Sequence, residues 1–150
     1  MSLFFYGTLM SSAVLLRVLL PGEARPDRLE SKGRTLKLQH AVLEGARRHT
    51  VKEEVYPALI LTVNASDKVA GMLCEGLSPS DIDLLDRFEG SEYERRSVKI
   101  LAQDGQVPST QVYVWIAPRE HLDSQEWDFE HFKTAKQAAW LAYSDEFTPL

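Results

Sequence analysis

Two short segments hold residue types that chemistry could use. The first is Phe4-Phe5-Tyr6-Gly7-Thr8-Leu9-Met10. An apolar, aromatic run meets Gly7 and then heads towards a helix start. Glycine lets the chain turn sharply and lets a ligand approach its backbone. The amides of Gly7, Thr8 and Leu9 then stand near a helix start with no strand partner. Such amides bind a carboxylate or a developing oxyanion. A plain strand-to-helix turn carries the same sequence. The second segment is Leu84-Leu85-Asp86-Arg87-Phe88-Glu89-Gly90-Ser91-Glu92-Tyr93. Glu89 is expected at the end of a helix that Gly90 stops. Carbonyls at that end carry partial negative charge, and Phe88 offers an apolar floor. Both effects raise a carboxyl pKa, which suits a group that takes and returns a proton near neutral pH. The commoner fate of a lone glutamate in this place is solvation. Asp86 reads as an exposed helix residue or a partner for Arg87 or Arg95.

Other reactive side chains offer less. His40, His49, His121 and His131 show no pair at metal-ligand spacing. Cys74 lies in an apolar strand without a nearby base and reads as a structural thiol. Ser11 and Ser12 lack the surroundings of a nucleophile elbow. Arg48 has two readings of equal weight, a holder of a substrate carboxylate at a pocket rim and a strand-edge charge. Trp127, Phe132 and Trp140 read as packing between a helix and the core.

The elements that must position these residues follow from periodicity and punctuation. Residues 3–6 form a short strand. Ser11 or Ser12 caps a helix that ends near Leu20, before Pro21-Gly22. Residues 23–32 are polar and read as loop. Residues 35–44, 58–63 and 69–75 read as strands, with Gly71 allowing a close backbone approach. Ser78, Pro79 and Asp81 form a helix start of capping-box type, and Gly90 terminates that helix. Residues 96–102 and 111–116 are strands around a Gln103-Asp104-Gly105 turn. Asp123 and Glu126 form a second capping box and open a last helix that runs to about Tyr143. The pattern predicts an α+β domain with a small curled or barrel-like sheet.

Composition narrows the partners. The chain has 150 residues, 44% hydrophobic and 26% charged, which is one globular domain's worth. Its net charge is −5. Phosphate binding needs clustered Lys and Arg, so nucleic acid is not the expected partner. Cys74 is the single cysteine, and a chain without an internal disulfide suits a reducing compartment. The first residues do not read as a signal peptide. No stretch reaches the roughly 18 apolar residues of a membrane span. A cytoplasmic protein, monomeric or homodimeric, is the expectation.

Taken in order, Tyr6-Gly7-Thr8-Leu9, Arg48, Tyr56-Pro57-Ala58, Val69-Ala70-Gly71, residues 85–95 and Val112-Tyr113-Val114-Trp115 resemble the gamma-glutamylcyclotransferase-like superfamily. Within it they are similar to the branch first named for avirulence-induced plant proteins, which is also frequent in fungi. The resemblance runs from about residue 3 to residue 116, and the acidic, Trp-containing C-terminal helix is similar too. It implies a single domain over residues 1–150, built as a small mixed β-barrel of five to seven strands flanked by helices. It implies that the turn of Tyr6, Gly7, Thr8 and Leu9 holds the substrate through its amides and that Glu89 is the catalytic acid/base. Tyr93 and Tyr113 match aromatic positions near the family pocket, and Arg48 and Tyr56 join them as expected substrate contacts. The implied substrate is a small gamma-glutamyl amide, closed on itself to 5-oxoproline with no cofactor and no metal. The same pocket would also suit another proton-transfer reaction, such as a cyclisation, isomerisation or elimination. A non-catalytic module that binds a small molecule or a protein is the third reading. It gains weight if Glu89 is tied up by Arg87 or Arg95.

Overall fold

The structure is a computed structural model whose described residues are 1–143. The strands are β1 (Ser2–Phe5), β2 (Lys37–Glu44), β3 (Ala46–Thr50), β4 (Pro57–Leu61), β5 (Lys68–Glu75), β6 (Tyr93–Lys99), β7 (Leu101–Ala102) and β8 (Ser109–Trp115). The longer helices are α1 (Ser12–Leu19), α2 (Pro26–Arg34) and α3 (Pro79–Glu89). The C-terminal helix begins as α4 (Phe129–His131), passes through a π-helical stretch (Phe132–Lys136) and continues as α5 (Gln137–Tyr143).

The chain is α+β, as its pattern predicts. Hydrogen bonds organise the strands as β1-β5-β2-β7, β3-β4 and β6-β8, with antiparallel pairing in each. The expected barrel is therefore three abutting sheets, not one continuous ladder. Strands β1 and β4 both lie against β8, and β3 lies against β5. The Ser2 and Thr110 hydroxyls, 2.7 Å apart, tie β1 to β8.

Strand β1 is apolar on both faces because both are buried. Successive side chains of a strand point to opposite sides. Leu3 and Phe5 join a core shared with α1, α3 and the C-terminal helix. Phe4 and Tyr6 join a second core formed by the sheets, with Leu59, Val69, Leu73 and Val112. Next to β1, Gly71 leaves no room for a side chain. A Cβ there would stand 2.2 Å from the Phe5 carbonyl oxygen and 2.8 Å from the Phe4 ring.

Helix α3 starts where its residues predict. Ser78 Oγ accepts the Asp81 N–H at 3.1 Å, and the Asp81 carboxylate accepts the Ser78 N–H at 2.9 Å. Pro79 occupies the first turn, and Gly90 ends the helix at φ 78°. The helix is then fastened at two places. Lys32 donates to Asp81 at 2.8 Å. Arg95 of β6 grips Asp86 with two nitrogens, at 3.0 and 3.1 Å. Tyr113 of β8 donates to the same carboxylate at 2.7 Å.

Three elements depart from the sequence reading. Residues 23–32 are not all loop, because α2 occupies Pro26–Arg34. None of its residues is buried, so it has no apolar periodicity to announce it. Strand β3 holds Arg47, Arg48, His49 and Thr50, whose polarity hides a strand that pairs along β4. The second capping box does not form. Asp123 N–H donates to the Thr50 carbonyl and Thr50 N–H to that of Gln125, which keeps this segment extended beside β3. Asp128 caps the helix instead, accepting the His131 N–H at 3.3 Å.

Asp81 and Asp86 couple this architecture to pH. Burial disfavours the charged form of each most strongly. The hydrogen bonds from Lys32 and Ser78 outweigh it at Asp81, and those from Arg95 and Tyr113 outweigh it at Asp86. Both carboxyls are held below their ordinary range. Their contribution to stability is complete above the unfolded value of about 3.9 and is lost as pH falls through the lower native values. Thermal unfolding should show the midpoint dropping below about pH 4, with a shallower acid limb in Asp81→Asn; an unchanged limb contradicts the assignment. Gly71→Ala should destabilise by roughly 3 kcal/mol in denaturant titration, the upper end for overpacking; a loss below about 1 kcal/mol would mean the β1–β5 approach relaxes freely.

Candidate active site

Strand β1 leaves the sheet at Phe5, whose partner on β5 is Met72. Tyr6 turns its ring into the sheet core, and its hydroxyl donates to the Tyr113 carbonyl at 2.6 Å. Gly7 follows. A Cβ on it would stand 2.8 Å from Pro57 Cγ and 2.9 Å from Cδ. Pro57 against the main chain therefore demands glycine here. Residues Thr8–Met10 make one 3₁₀ turn, and Ser11 caps α1 by accepting the Val14 N–H at 3.4 Å. Amides at the start of a helix have no acceptor inside it. Met10 is the first to find one, the Gly7 carbonyl at 3.0 Å. The amides of Gly7, Thr8 and Leu9 precede it.

Beside this turn lies a cavity of about 110 Å³. Its wall combines the turn of Tyr6, Gly7, Thr8 and Leu9 with Tyr56 and Pro57 and with Phe88, Glu89, Glu92, Tyr93 and Tyr113. The capping of α3 and the grip on Asp86 bring the helix end, and so Glu89, to this wall. Arg95, one of the two cations that might have claimed Glu89, is committed to Asp86.

Three phenols at the cavity, those of Tyr6, Tyr93 and Tyr113, are polar but stay neutral. The Tyr93 hydroxyl donates to the Pro57 carbonyl at 2.7 Å, and that of Tyr113 donates to Asp86. Burial is the main cause that pushes the pKa of Tyr6, Tyr93 and Tyr113 upward, and the charge of Glu89 pushes each in the same direction. Glu89 is thus close enough to act on all three rings. Cys74 takes no part in the cavity. It is fully buried, and burial raises its thiol to about 12.

Eight of the nine residues expected at the site line this cavity: Tyr6, Gly7, Thr8, Leu9, Tyr56, Glu89, Tyr93 and Tyr113. Arg48 does not; it lines a separate outer groove with Leu101, Glu126, Trp127 and Phe129. Its side chain is only 12% exposed, so it is no strand-edge charge. Its guanidinium is engaged behind the turn, donating to the Tyr6 carbonyl at 2.8 Å and to Glu126 at 3.2 Å. Glu92 and Pro57 also line the cavity; both stand in the quoted motifs, with no site role assigned to them there. Glu92 carries no local signal, and the role of Pro57 depends on a contact with Gly7, 50 residues away in sequence.

Comparison with known proteins places this geometry in a family. Residues 3–129 match the family model described as "Gamma-glutamyl cyclotransferase, AIG2-like". AIG2-like protein D of Arabidopsis thaliana is 33% identical over 148 residues, which is 97% of this chain and 88% of that protein. An Arabidopsis thaliana protein solved in solution superposes with a TM-score of 0.63 at 26% identity, covering 94% of this chain and 85% of the other. The crystal structure of an AIG2-like protein from Mus musculus shares the fold, with a TM-score of 0.57, 19% identity and coverage of 85% and 86%. No helix among the described residues is long and apolar enough to cross a membrane. The matched span contains both the turn after β1 and the end of α3, and the chain belongs to the gamma-glutamyl cyclotransferase, AIG2-like family.

Proposed function

We propose that the protein is a gamma-glutamylcyclotransferase that closes a gamma-glutamyl amide to 5-oxoproline and releases an amine. One observation carries the reading. The carboxyl-bearing end of α3 and the glycine-containing turn after β1 border the same small cavity. A proton carrier and a row of main-chain donors then face one bound molecule.

The substrate brings its own nucleophile. Glu89 removes a proton from the α-ammonium group, and the freed amine attacks the γ-carbonyl carbon. A C–N bond forms and the carbonyl oxygen becomes an oxyanion, which the Gly7, Thr8 and Leu9 amides receive. As the oxyanion collapses to the lactam carbonyl and the old C–N bond breaks, Glu89 returns the proton to the departing nitrogen; the ring nitrogen sheds its second proton, which the released amine takes up in solution as an ammonium. Holding amine and carbonyl in an attack geometry can lower the barrier by about 7 kcal/mol. Preorganised amides act most strongly on charge that appears only in the transition state. The neutral phenols suit this chemistry, because they add polarity to the wall without a second group that exchanges protons near pH 7.

The reading is tested by 5-oxoproline release from gamma-glutamyl amino acids, gamma-glutamyl-lysine and glutathione. Glu89→Gln should lower kcat by about 10²-fold or more, the usual worth of a general acid/base, with the thermal midpoint little changed. Binding without turnover, unaffected by the substitution, would instead mark a binding module. Release of a different product would mark another proton-transfer reaction. Gly7→Ala forces Pro57 away from the turn and should lower kcat by roughly 10-fold to 10²-fold; full activity in that variant contradicts the cradle.

A further inference from the structure

Arg48 lies behind the substrate turn, and its contacts are those of a fixed brace. The β1–β5 pairing ends at Phe5 and Met72. The carbonyl of Tyr6 lies just beyond it. Arg48 Nη1 donates to that carbonyl at 2.8 Å and also reaches the Ala70 carbonyl on β5 at 3.4 Å. One nitrogen thus spans the place where the two strands part. The guanidinium is held in turn. Its carbon stands 5.7 Å from the centre of the Trp127 ring, and Nη2 donates to Glu126. Nε is buried without a hydrogen-bond partner among the described residues. Burying a polar atom in that state costs stability, so packing alone gives no reason for arginine here.

A peptide unit is planar and trans, so its C=O and N–H point in opposite directions. Fixing the Tyr6 oxygen towards Arg48 fixes the direction of the Gly7 N–H, away from Arg48. Trp127 does the same service for the other wall. Its indole N–H donates to the Val55 carbonyl at 2.7 Å. Val55 precedes Tyr56 and Pro57, which line the cavity, and Pro57 closes against Gly7.

We infer that Arg48, clamped by Trp127 and Glu126, is a positioning residue that aims the Gly7 amide at the oxyanion, and that it does not bind a substrate carboxylate. The inference rests on the cyclotransferase reading for its kinetic consequence and on geometry alone for its effect on the turn. Because the amide matters most in the transition state, loss of the brace acts on kcat more than on KM.

The experiment compares Arg48→Met, Arg48→Lys and Trp127→Phe with the wild type. Arg48→Met should lower kcat by about 10²-fold, the size of a lost oxyanion donor, with KM changed less than about threefold. Arg48→Lys keeps a charged donor for the Tyr6 oxygen and should recover most of that loss. Trp127→Phe keeps a ring over the guanidinium, loses the bond to Val55 and should fall between them. A rise in KM at constant kcat would overturn the inference in favour of carboxylate binding. A lower thermal midpoint with normal kcat would reduce Arg48 to a structural role and also overturn it. The second readout needs no turnover. In Arg48→Met, the Gly7 and Thr8 amide resonances should move and their hydrogen exchange should quicken, while α3 keeps its protection, and Arg48→Lys should restore much of the wild-type behaviour. An unchanged Gly7 amide overturns the inference. A wild type that forms no 5-oxoproline sinks the cyclotransferase reading alone.

Discussion

A buried main chain must pair its polar groups, and a strand that leaves its sheet must find new partners for them. At the end of β1 this constraint shapes the whole site. On one side of the chain, the Tyr6 carbonyl turns to Arg48. On the other, the amides of Gly7, Thr8 and Leu9 come before the first bond of the 3₁₀ turn and border a cavity. Under the proposed function, these amides receive the carbonyl oxygen of the bound substrate. Local backbone economy and function are two views of one peptide stretch.

The α3 part of the wall depends on a different chain of causes. Capping at Ser78 fixes where α3 begins, and Gly90 fixes where it ends. Arg95 and Tyr113, from two paired strands, hold Asp86 one turn before Glu89. Helix geometry then sets the end of the helix against the cavity. Asp86 and Glu89 are two carboxylates on one helix with different tasks. Asp86 takes donors from Arg95 and Tyr113 that hold its carboxyl low, whereas Glu89 lines the cavity itself.

Much of this was legible in the sequence where the signal is local. The capping box at Ser78, the stop at Gly90 and the apolar β1 depend on near neighbours, and all stand where the residue pattern puts them. The partnership of Asp86 with Arg95 was also open to sequence, since the two flank one turn. What escaped depends on contacts between distant segments. Strand β3 is polar because Arg48 and its neighbours serve tertiary contacts, so its alternation carries no apolar signal. The run at Asp123 reads as a helix start in sequence, and its extended form depends on Thr50, far away along the chain. Arg48 could be recognised as a residue of consequence, but not which side of the turn it served. Residue type gives the chemistry that a side chain can offer, and only the fold gives its direction.

The account depends most on one product molecule being received by the turn after β1 and the end of α3 together. The direct test is an amide chemical-shift titration with 5-oxoproline on the intact chain. The account predicts saturable shifts centred on Gly7, Thr8 and Leu9, accompanied by Gly90 at the end of α3, and little change along β7. Shifts that gather instead in the outer groove around Trp127, Phe129 and Leu101, leaving the turn unmoved, would contradict it.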